Sequence, residues 1–180
     1  SNEVGGSGTR FQSFQMIDGV EIYGGFAGTE STVNERTDFR YGEANETILS
    51  GDFNDDDVIT GINTTLVISN KSDNAYHVFR HPDGYTLTNS AILDGFTLKG
   101  GNASGSDGSG EDDGGGITNM GLQSPTINNC TFTGNTAKDK GGAISNTGGG
   151  SPEITNCQFI KNVAAPADEA NDGAGGAINN

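Results

Sequence analysis

Short β-prone runs separated by turn residues make up most of the chain. Residues 20–23, 65–68, 77–79, 91–93 and 96–98 are runs of this kind, and Gly, Asn, Asp and Ser bound them. This alternation is the strand-and-turn pattern of an all-β protein. No segment places apolar residues at helical spacing. The pattern therefore predicts short strands around a narrow core.

An internal repeat organises the second half of the chain. Four blocks recur at one constant offset, namely 114–119 as 141–146, 124–127 as 151–154, 129–132 as 156–159, and 135–137 as 162–164. The first block returns once more, after a longer interval, at 175–180. The link that changes length is 138–140 in one copy and 165–174 in the next. An older copy at 93–98 aligns with 127–132, and its link is 103–113. Length variation confined to one link is typical of loops on one face of a solenoid.

Each repeat contains three strand-like pieces, for example residues 126–128, 130–133 and 143–145. We therefore predict an all-β fold, a right-handed parallel β-helix (solenoid) with three short strands per coil, its hand following the preference of parallel crossovers. Residues 1–180 are expected to form a single β-helix domain, with degenerate first coils in 1–90 and regular repeats in 91–180. The repeat length is about 27 to 34 residues, within the range typical of solenoids. At these lengths the chain would form about five to seven coils, stacked about 4.8 Å apart.

Equivalent residues of successive coils should stack into ladders along the solenoid. Because side chains alternate along a strand, positions two apart share a face. The expected inward ladders are Ile117/Ile144/Ile178, Cys130/Cys157 and Phe132/Phe159, and the expected corner amide ladders are Asn129/Asn156 and Asn135/Asn162. The Cβ vectors of stacked cysteines point the same way, which favours two buried thiols over a disulfide.

These motifs carry a family resemblance. Gly-Gly-Ala-Ile at 141–144, followed by Phe159-x-x-Asn162, resembles the repeat of chlamydial polymorphic outer-membrane proteins. Segments 13–30, 47–52 and 74–78 resemble the first coils of related bacterial surface proteins. The resemblance implies a secreted or surface-anchored β-helix, often adhesive, without shared catalytic residues. It also implies an extracellular or cell-surface location.

The charge of the chain excludes two classes of partner. With 24 acidic and 9 basic residues the net charge is −15, so the surface would repel nucleic acid and anionic membranes. No apolar run approaches the roughly 18 residues of a membrane span, and we expect no membrane insertion. The chain opens at Ser1 without an initiator Met and ends inside a repeat, so we expect it to be part of a longer protein.

Acidic residues supply the candidate metal ligands. The densest group is 52–57, in which Asp52, Asn54 and Asp56 resemble the opening of a calcium loop. Asp57 takes the usual glycine place and Asn63 the usual place of the bidentate Glu, so a solvated acidic loop is the alternative. A second group lies in the variable links and could bridge a cation if the links stack: Asp107, Glu111, Asp112, Asp113, Asp139, Asp168, Glu169 and Asp172.

The leading hypothesis is an extracellular structural or adhesive module that is not an enzyme. Its expected partners are other copies of itself, or neighbouring coils of a longer chain, and surface glycans. One alternative is a filament subunit that stacks end to end. Another is a calcium-dependent polysaccharide lyase or hydrolase, with Arg80 and His81 about one coil beyond the 52–57 group. Paired carboxylates, which hydrolysis needs, do not recur in the strand segments, and we assign no catalytic residue.

Overall fold

The structure, a computed structural model, describes residues 9–106, 108–164 and 176–180. Within these ranges there is no α-helix, and two 3-10 helices span Val33–Glu35 and Asn63–Thr65. The strands, in chain order, are β1 (Glu21–Tyr23), β2 (Thr47–Ser50), β3 (Val58–Thr60), β4 (Val67–Ser69), β5 (Phe79–His81), β6 (Ile92–Asp94), β7 (Phe96–Lys99), β8 (Asn102–Ala103), β9 (Ile117–Met120), β10 (Thr126–Asn128), β11 (Thr131–Thr133), β12 (Thr136–Ala137), β13 (Ile144–Thr147), β14 (Glu153–Thr155), β15 (Gln158–Ile160), β16 (Val163–Ala164) and β17 (Ile178–Asn179).

Four parallel sheets run along the stack, and each coil adds one strand to a sheet. Sheet 1 has the order β1-β6-β10-β14, sheet 2 has β2-β7-β11-β15, sheet 3 has β8-β12-β16, and sheet 4 has β5-β9-β13-β17. Strands β3 and β4 form a separate antiparallel hairpin. The all-β, parallel β-helix predicted from the repeat is therefore confirmed.

The coil contains one more strand than the sequence predicted. The three expected strands are present, and the two-residue strands of sheet 3 pair as well, with Thr136 opposite Asn102 and Val163. Strands this short lie between turn residues and leave no alternation to detect. The sheet-3 strand therefore has no clear signature in a single repeat.

The number of coils is smaller than predicted. Glu21 stands opposite Ile92, Ile92 opposite Thr126, and Thr126 opposite Glu153, so the first coil is much the longest. The described strands of sheets 1, 2 and 4 stack four deep, and the parallel bridge between Phe14 and Phe79 begins sheet 4 one level earlier. The described residues therefore form four full coils and part of a fifth, where five to seven were predicted. The reason is the first coil, in which two long excursions, 24–46 and 52–74, leave the stack and return to it.

One corner of the coil requires left-handed backbone. Between sheets 1 and 2 the corner residue is Gly95, Asn129 or Asn156, with φ of 83°, 53° and 55°. Gly and Asn are the residues that occupy this region most readily. The Asn side chains also stack, since Asn156 Nδ2 donates to Asn129 Oδ1 at 2.7 Å and Asn129 Nδ2 donates to Asp94 Oδ2 at 2.9 Å. Asn suits this corner for two reasons, because it tolerates the left-handed backbone and because its side-chain amide bonds to the neighbouring coil.

The core consists of apolar columns that run along the stack. Phe132 lies opposite Leu98 and Phe159, and the two phenyl rings stack with centroids 5.1 Å apart and an interplanar angle of 6°. Ile144 likewise lies opposite Ile117 and Ile178. The ladder residues of the middle coils are fully buried, because strands cover them on both sides.

Candidate functional site

Three carboxylates meet at the base of the hairpin excursion, and we call them the Asp52–Asp56–Asp73 cluster. Asp52 follows β2, Asp56 precedes β3, and Asp73 follows β4. One oxygen of each lies within 4.8 Å of the others. Asp52 is buried and Asp56 is exposed. This arrangement has the chemistry of a hard-cation site, because carboxylate oxygens are the preferred ligands of calcium.

Backbone hydrogen bonds explain why the cluster forms. Asp52 Oδ1 accepts from the Asp56 amide at 3.3 Å, and Asp52 Oδ2 accepts from the Asp57 amide at 3.1 Å. The loop therefore curls around the Asp52 carboxylate. At the return of the excursion, the Ala75 amide donates to the Gly51 carbonyl at 2.8 Å. This bond closes the base of the excursion and brings Asp73 beside Asp52.

The cluster differs from the group predicted from the sequence. Asp52 and Asp56 come together as that group required, whereas the Asn54 side chain is exposed. The third carboxylate is Asp73, which was not predicted. Asp73 reaches the cluster only because the hairpin returns the chain to its starting point, and no repeat marks that return.

The carboxylates at this base repel one another. Partial desolvation, together with the charges of Asp73 and Asp52, raises the pKa of Asp56. Burial and the charges of Asp52, Asp73 and Asp56 raise the pKa of Asp57 as well, against a hydrogen bond from Asn74 that lowers it. The base of the excursion is therefore a site where an added positive charge would be stabilising.

Part of the second acidic group also assembles. The links after β8 and β12 stack, since the Lys140 amide donates to Asp113 Oδ1 at 2.9 Å and the amides of Lys138 and Asp139 both donate to the Asp112 carbonyl at 3.1 Å. Asp139 also pairs with Lys140 at 3.2 Å. Glu111 instead faces Arg80 at 3.8 Å. The remaining predicted members, Asp107, Asp168, Glu169 and Asp172, lie outside the described residues.

The other predicted ladder residues lie opposite one another. Asn135 Nδ2 donates to Asn162 Oδ1 at 3.0 Å, and Asn135 Oδ1 accepts from the Gly101 amide at 3.0 Å. Cys130 and Cys157 are both free thiols. The neighbouring Cys157 thiol, together with burial, raises the pKa of Cys130 well above its ordinary value. Cys130 is therefore a protonated, buried side chain of the core.

A further polar ladder was not predicted. His81 Nδ1 donates to Asn119 Oδ1 at 2.6 Å, Asn119 Nδ2 donates to Asn146 Oδ1 at 2.7 Å, and Asn146 Nδ2 donates to Asn180 Oδ1 at 3.2 Å. The other ring nitrogen, His81 Nε2, accepts from the Met16 amide at 3.1 Å. Both ring nitrogens of His81 are thus engaged in the interior. The sequence held a signal for this ladder, because each Asn lies two positions after a ladder isoleucine and so shares its face.

The stability of the chain should fall between about pH 6.5 and pH 4 because of His77. Burial lowers the pKa of His77 from 6.5 to about 4. Above pH 6.5 the ring is neutral in both states, and as the pH falls only the unfolded chain binds the proton. At about 1.4 kcal/mol per pH unit, this linkage removes about 3 kcal/mol by pH 4. Burial lowers the pKa of His81 in the same direction.

Denaturant titration at a series of pH values measures this loss. A His77→Gln variant is the control, since it keeps a hydrogen-bond donor near the Gly114 carbonyl that His77 Nδ1 contacts at 2.9 Å. Arg80 and Glu111 act on His77 with opposite signs, and both remain in the variant. Equal pH dependence in the two proteins would contradict the prediction.

Comparison with known proteins supports the repeat. Residues 129–147 match the family model of the Chlamydia polymorphic membrane protein repeat, and they comprise the Asn129 corner and strands β11 to β13. The resemblance seen in the sequence is confirmed for this segment. Searches among curated proteins and among solved structures gave no match. Within the described ranges, no helix has the length and apolar character needed to cross a bilayer.

Proposed function

We propose that the chain is an extracellular structural and adhesive module of a bacterial surface or secreted protein. The observation that carries the proposal is the repeat match at residues 129–147, a repeat of outer-membrane proteins. The stack of parallel coils supports it, because a β-helix with buried columns offers a rigid rod whose outer faces and links are free to vary. The net charge of −15 suits a soluble, exposed surface.

Surface labelling tests the location. Antibodies raised against the purified chain should label intact, unpermeabilised cells of the source bacterium, or the chain should be recovered from the culture medium. Brief protease treatment of intact cells should remove the label. Labelling that appears only after the cells are lysed would contradict an extracellular role.

Bead retention tests adhesion. Beads coated with the chain should be retained on epithelial cell layers or matrix proteins several-fold better than beads coated with an unrelated acidic protein of matched net charge. Glycosidase treatment of the cells then separates glycan from protein receptors. Retention equal to that of the charge-matched beads on every surface would remove the adhesive part of the proposal.

A polysaccharide lyase or hydrolase is the second candidate, and one cavity favours it. The cavity has a volume of about 530 Å³ between residues 12–14 and β2, and its lining includes Asp52, Asp55 and Lys99. Lys99 contacts Asp55 at 2.8 Å. Incubation with acidic polysaccharides and calcium would release unsaturated products or new reducing ends if this candidate is correct, and unchanged polysaccharides would exclude it.

End-to-end assembly is the third candidate. Ile154, Phe159 and Ile178 of the last described coil are only half-buried, whereas Phe132 and Ile144 of the preceding coil are fully buried. A second copy, or further coils of a longer chain, would cover these side chains equally well. Light scattering over a concentration series tests whether the isolated chain assembles. Assembly requires the mean mass to rise with concentration, and a constant monomer mass would exclude it.

A further inference from the structure

We propose that the Asp52–Asp56–Asp73 cluster binds one calcium ion, which fastens together the two ends of the hairpin excursion. This inference does not depend on the adhesive function. It begins from the three carboxylate oxygens that lie within 4.8 Å of one another. Acidic side chains often cluster without a ligand, so the inference needs a second and independent observation.

Buried oxygen atoms without hydrogen-bond partners supply that observation. Oδ2, one of the two carboxylate oxygens of Asp73, is inaccessible to solvent and has no hydrogen-bond partner in the described part of the chain. The same is true of Asp57 Oδ1 and Asn74 Oδ1, and Asn74 is only 1% exposed. Asn74 Nδ2 donates to Asp57 Oδ2 at 2.8 Å, which fastens this amide to the acidic base of the excursion.

These orphan atoms are all oxygens, and that decides the kind of ligand. A buried carboxylate or carbonyl oxygen without a partner costs about 1–3 kcal/mol, and more when it is charged. Hydrogen-bond donors or a hard cation would satisfy such atoms. Asp52, Asp56, Asp57 and Asp73 also repel one another. A cation would satisfy the unpartnered oxygens and also reduce this repulsion, whereas a neutral donor would only satisfy the oxygens.

The cluster is close enough for one calcium ion to reach all three carboxylates. Calcium binds oxygen at about 2.3–2.6 Å, so ligands on opposite sides of the ion lie about 4.6–5.2 Å apart and adjacent ligands lie closer. The three oxygens all lie within 4.8 Å of one another. Calcium accepts carboxylate and carbonyl ligands in irregular geometry, whereas magnesium demands a near-ideal octahedron and keeps several waters, so the donor set favours calcium.

Two lysines near the base of the excursion interact with groups outside the three-carboxylate cluster. Lys99 contacts Asp55 at 2.8 Å, and Lys71 Nζ reaches Thr136 Oγ1 at 3.5 Å. Burial lowers the pKa of Lys71 while the charge of Asp57 raises it, so Lys71 offsets part of the Asp57 charge.

The cluster itself draws its ligands from both ends of the excursion, before β3 and after β4. Calcium would therefore order residues 51–75 and stabilise the first coil.

Calorimetric titration of the metal-stripped chain with calcium chloride tests the proposal. We expect one ion per chain, with a dissociation constant of roughly 10⁻⁵–10⁻³ M. Asp73→Asn should weaken binding at least tenfold, because it removes a charged ligand. Asp55→Asn is the matched control, since it removes the same charge from the same loop but outside the cluster, and it should weaken binding less than about twofold.

A second measurement keeps the test decisive if a variant folds poorly. Calcium should raise the thermal midpoint of the native chain more than magnesium does at equal ionic strength, and Asp56→Asn, at an exposed position, should reduce that difference. Equal weakening by Asp73→Asn and Asp55→Asn would assign the binding to diffuse attraction by the acidic surface and overturn the proposal. No binding heat up to about 10 mM calcium, well above the range of extracellular calcium sites, would overturn it as well.

Discussion

Replacing Arg36 by alanine is expected to lower the free energy of unfolding by about 3–5 kcal/mol, because it leaves a buried carboxylate without its partner. Arg36 Nη2 contacts Asp94 Oδ1 at 2.7 Å, and the two side chains are only 6% and 9% exposed. Arg36 also donates to the carbonyls of Gly24 and Val33 at 2.7 and 2.9 Å. Loss of Arg36 would therefore release the 24–46 excursion from sheet 1 and leave the Asp94 carboxylate without its ion-pair partner.

Aromatic rings around Arg36 increase the expected effect. The guanidinium carbon lies 5.4, 5.5 and 4.8 Å from the ring centroids of Tyr23, Phe26 and Phe39. Arginine stacks on such rings and donates from a planar fork, which lysine does not reproduce. Arg36→Lys should therefore be destabilising as well, although less so than alanine.

Denaturant titration and hydrogen exchange together test this prediction. The double variant Arg36→Met with Asp94→Leu should lose less stability than Arg36→Ala alone, since it removes both charges. Hydrogen exchange should increase first within residues 24–46. If the single and double variants lose the same stability, the ion pair is not what holds the excursion.

The repeated half of the chain was largely predictable from the sequence. The repeat offset aligns Phe132 with Phe159, and the structure places these residues opposite each other. The alignment of the older copy at 93–98 was equally informative, because Leu98 does stand opposite Phe132. Repetition works as a guide here because each coil has to present the same backbone groups to its neighbours, so that insertions are restricted to the links.

The unrepeated first coil could not be predicted in the same way. Its contacts join residues far apart in sequence, such as Arg36 with Asp94 and Asp73 with Asp52. Neither pair belongs to a repeated block, so no periodicity connects them. The predicted coil count was too high for the same reason, because the two excursions occupy chain that the repeat length alone would assign to further coils.

Replacing Phe132 by alanine is the second change with a large expected effect. Phe132 is fully buried, with Leu98 on one side and Phe159 on the other. Removing the ring leaves a cavity in the middle of an apolar column, and substitutions of this kind typically cost about 3–5 kcal/mol. The free energy of unfolding from denaturant titration is the quantity to compare with the native chain.

Two further variants separate cavity formation from the loss of ring stacking. Phe132→Leu places the residue of the neighbouring coil in the same column and should cost less than about 1.5 kcal/mol if the column tolerates repacking. Phe159→Ala removes the stacked partner from a half-buried position, and it should cost less than Phe132→Ala because solvent can fill the space. A loss below about 1 kcal/mol for Phe132→Ala would mean that the ring lies outside the core, and the register of sheet 2 would then be wrong by one residue.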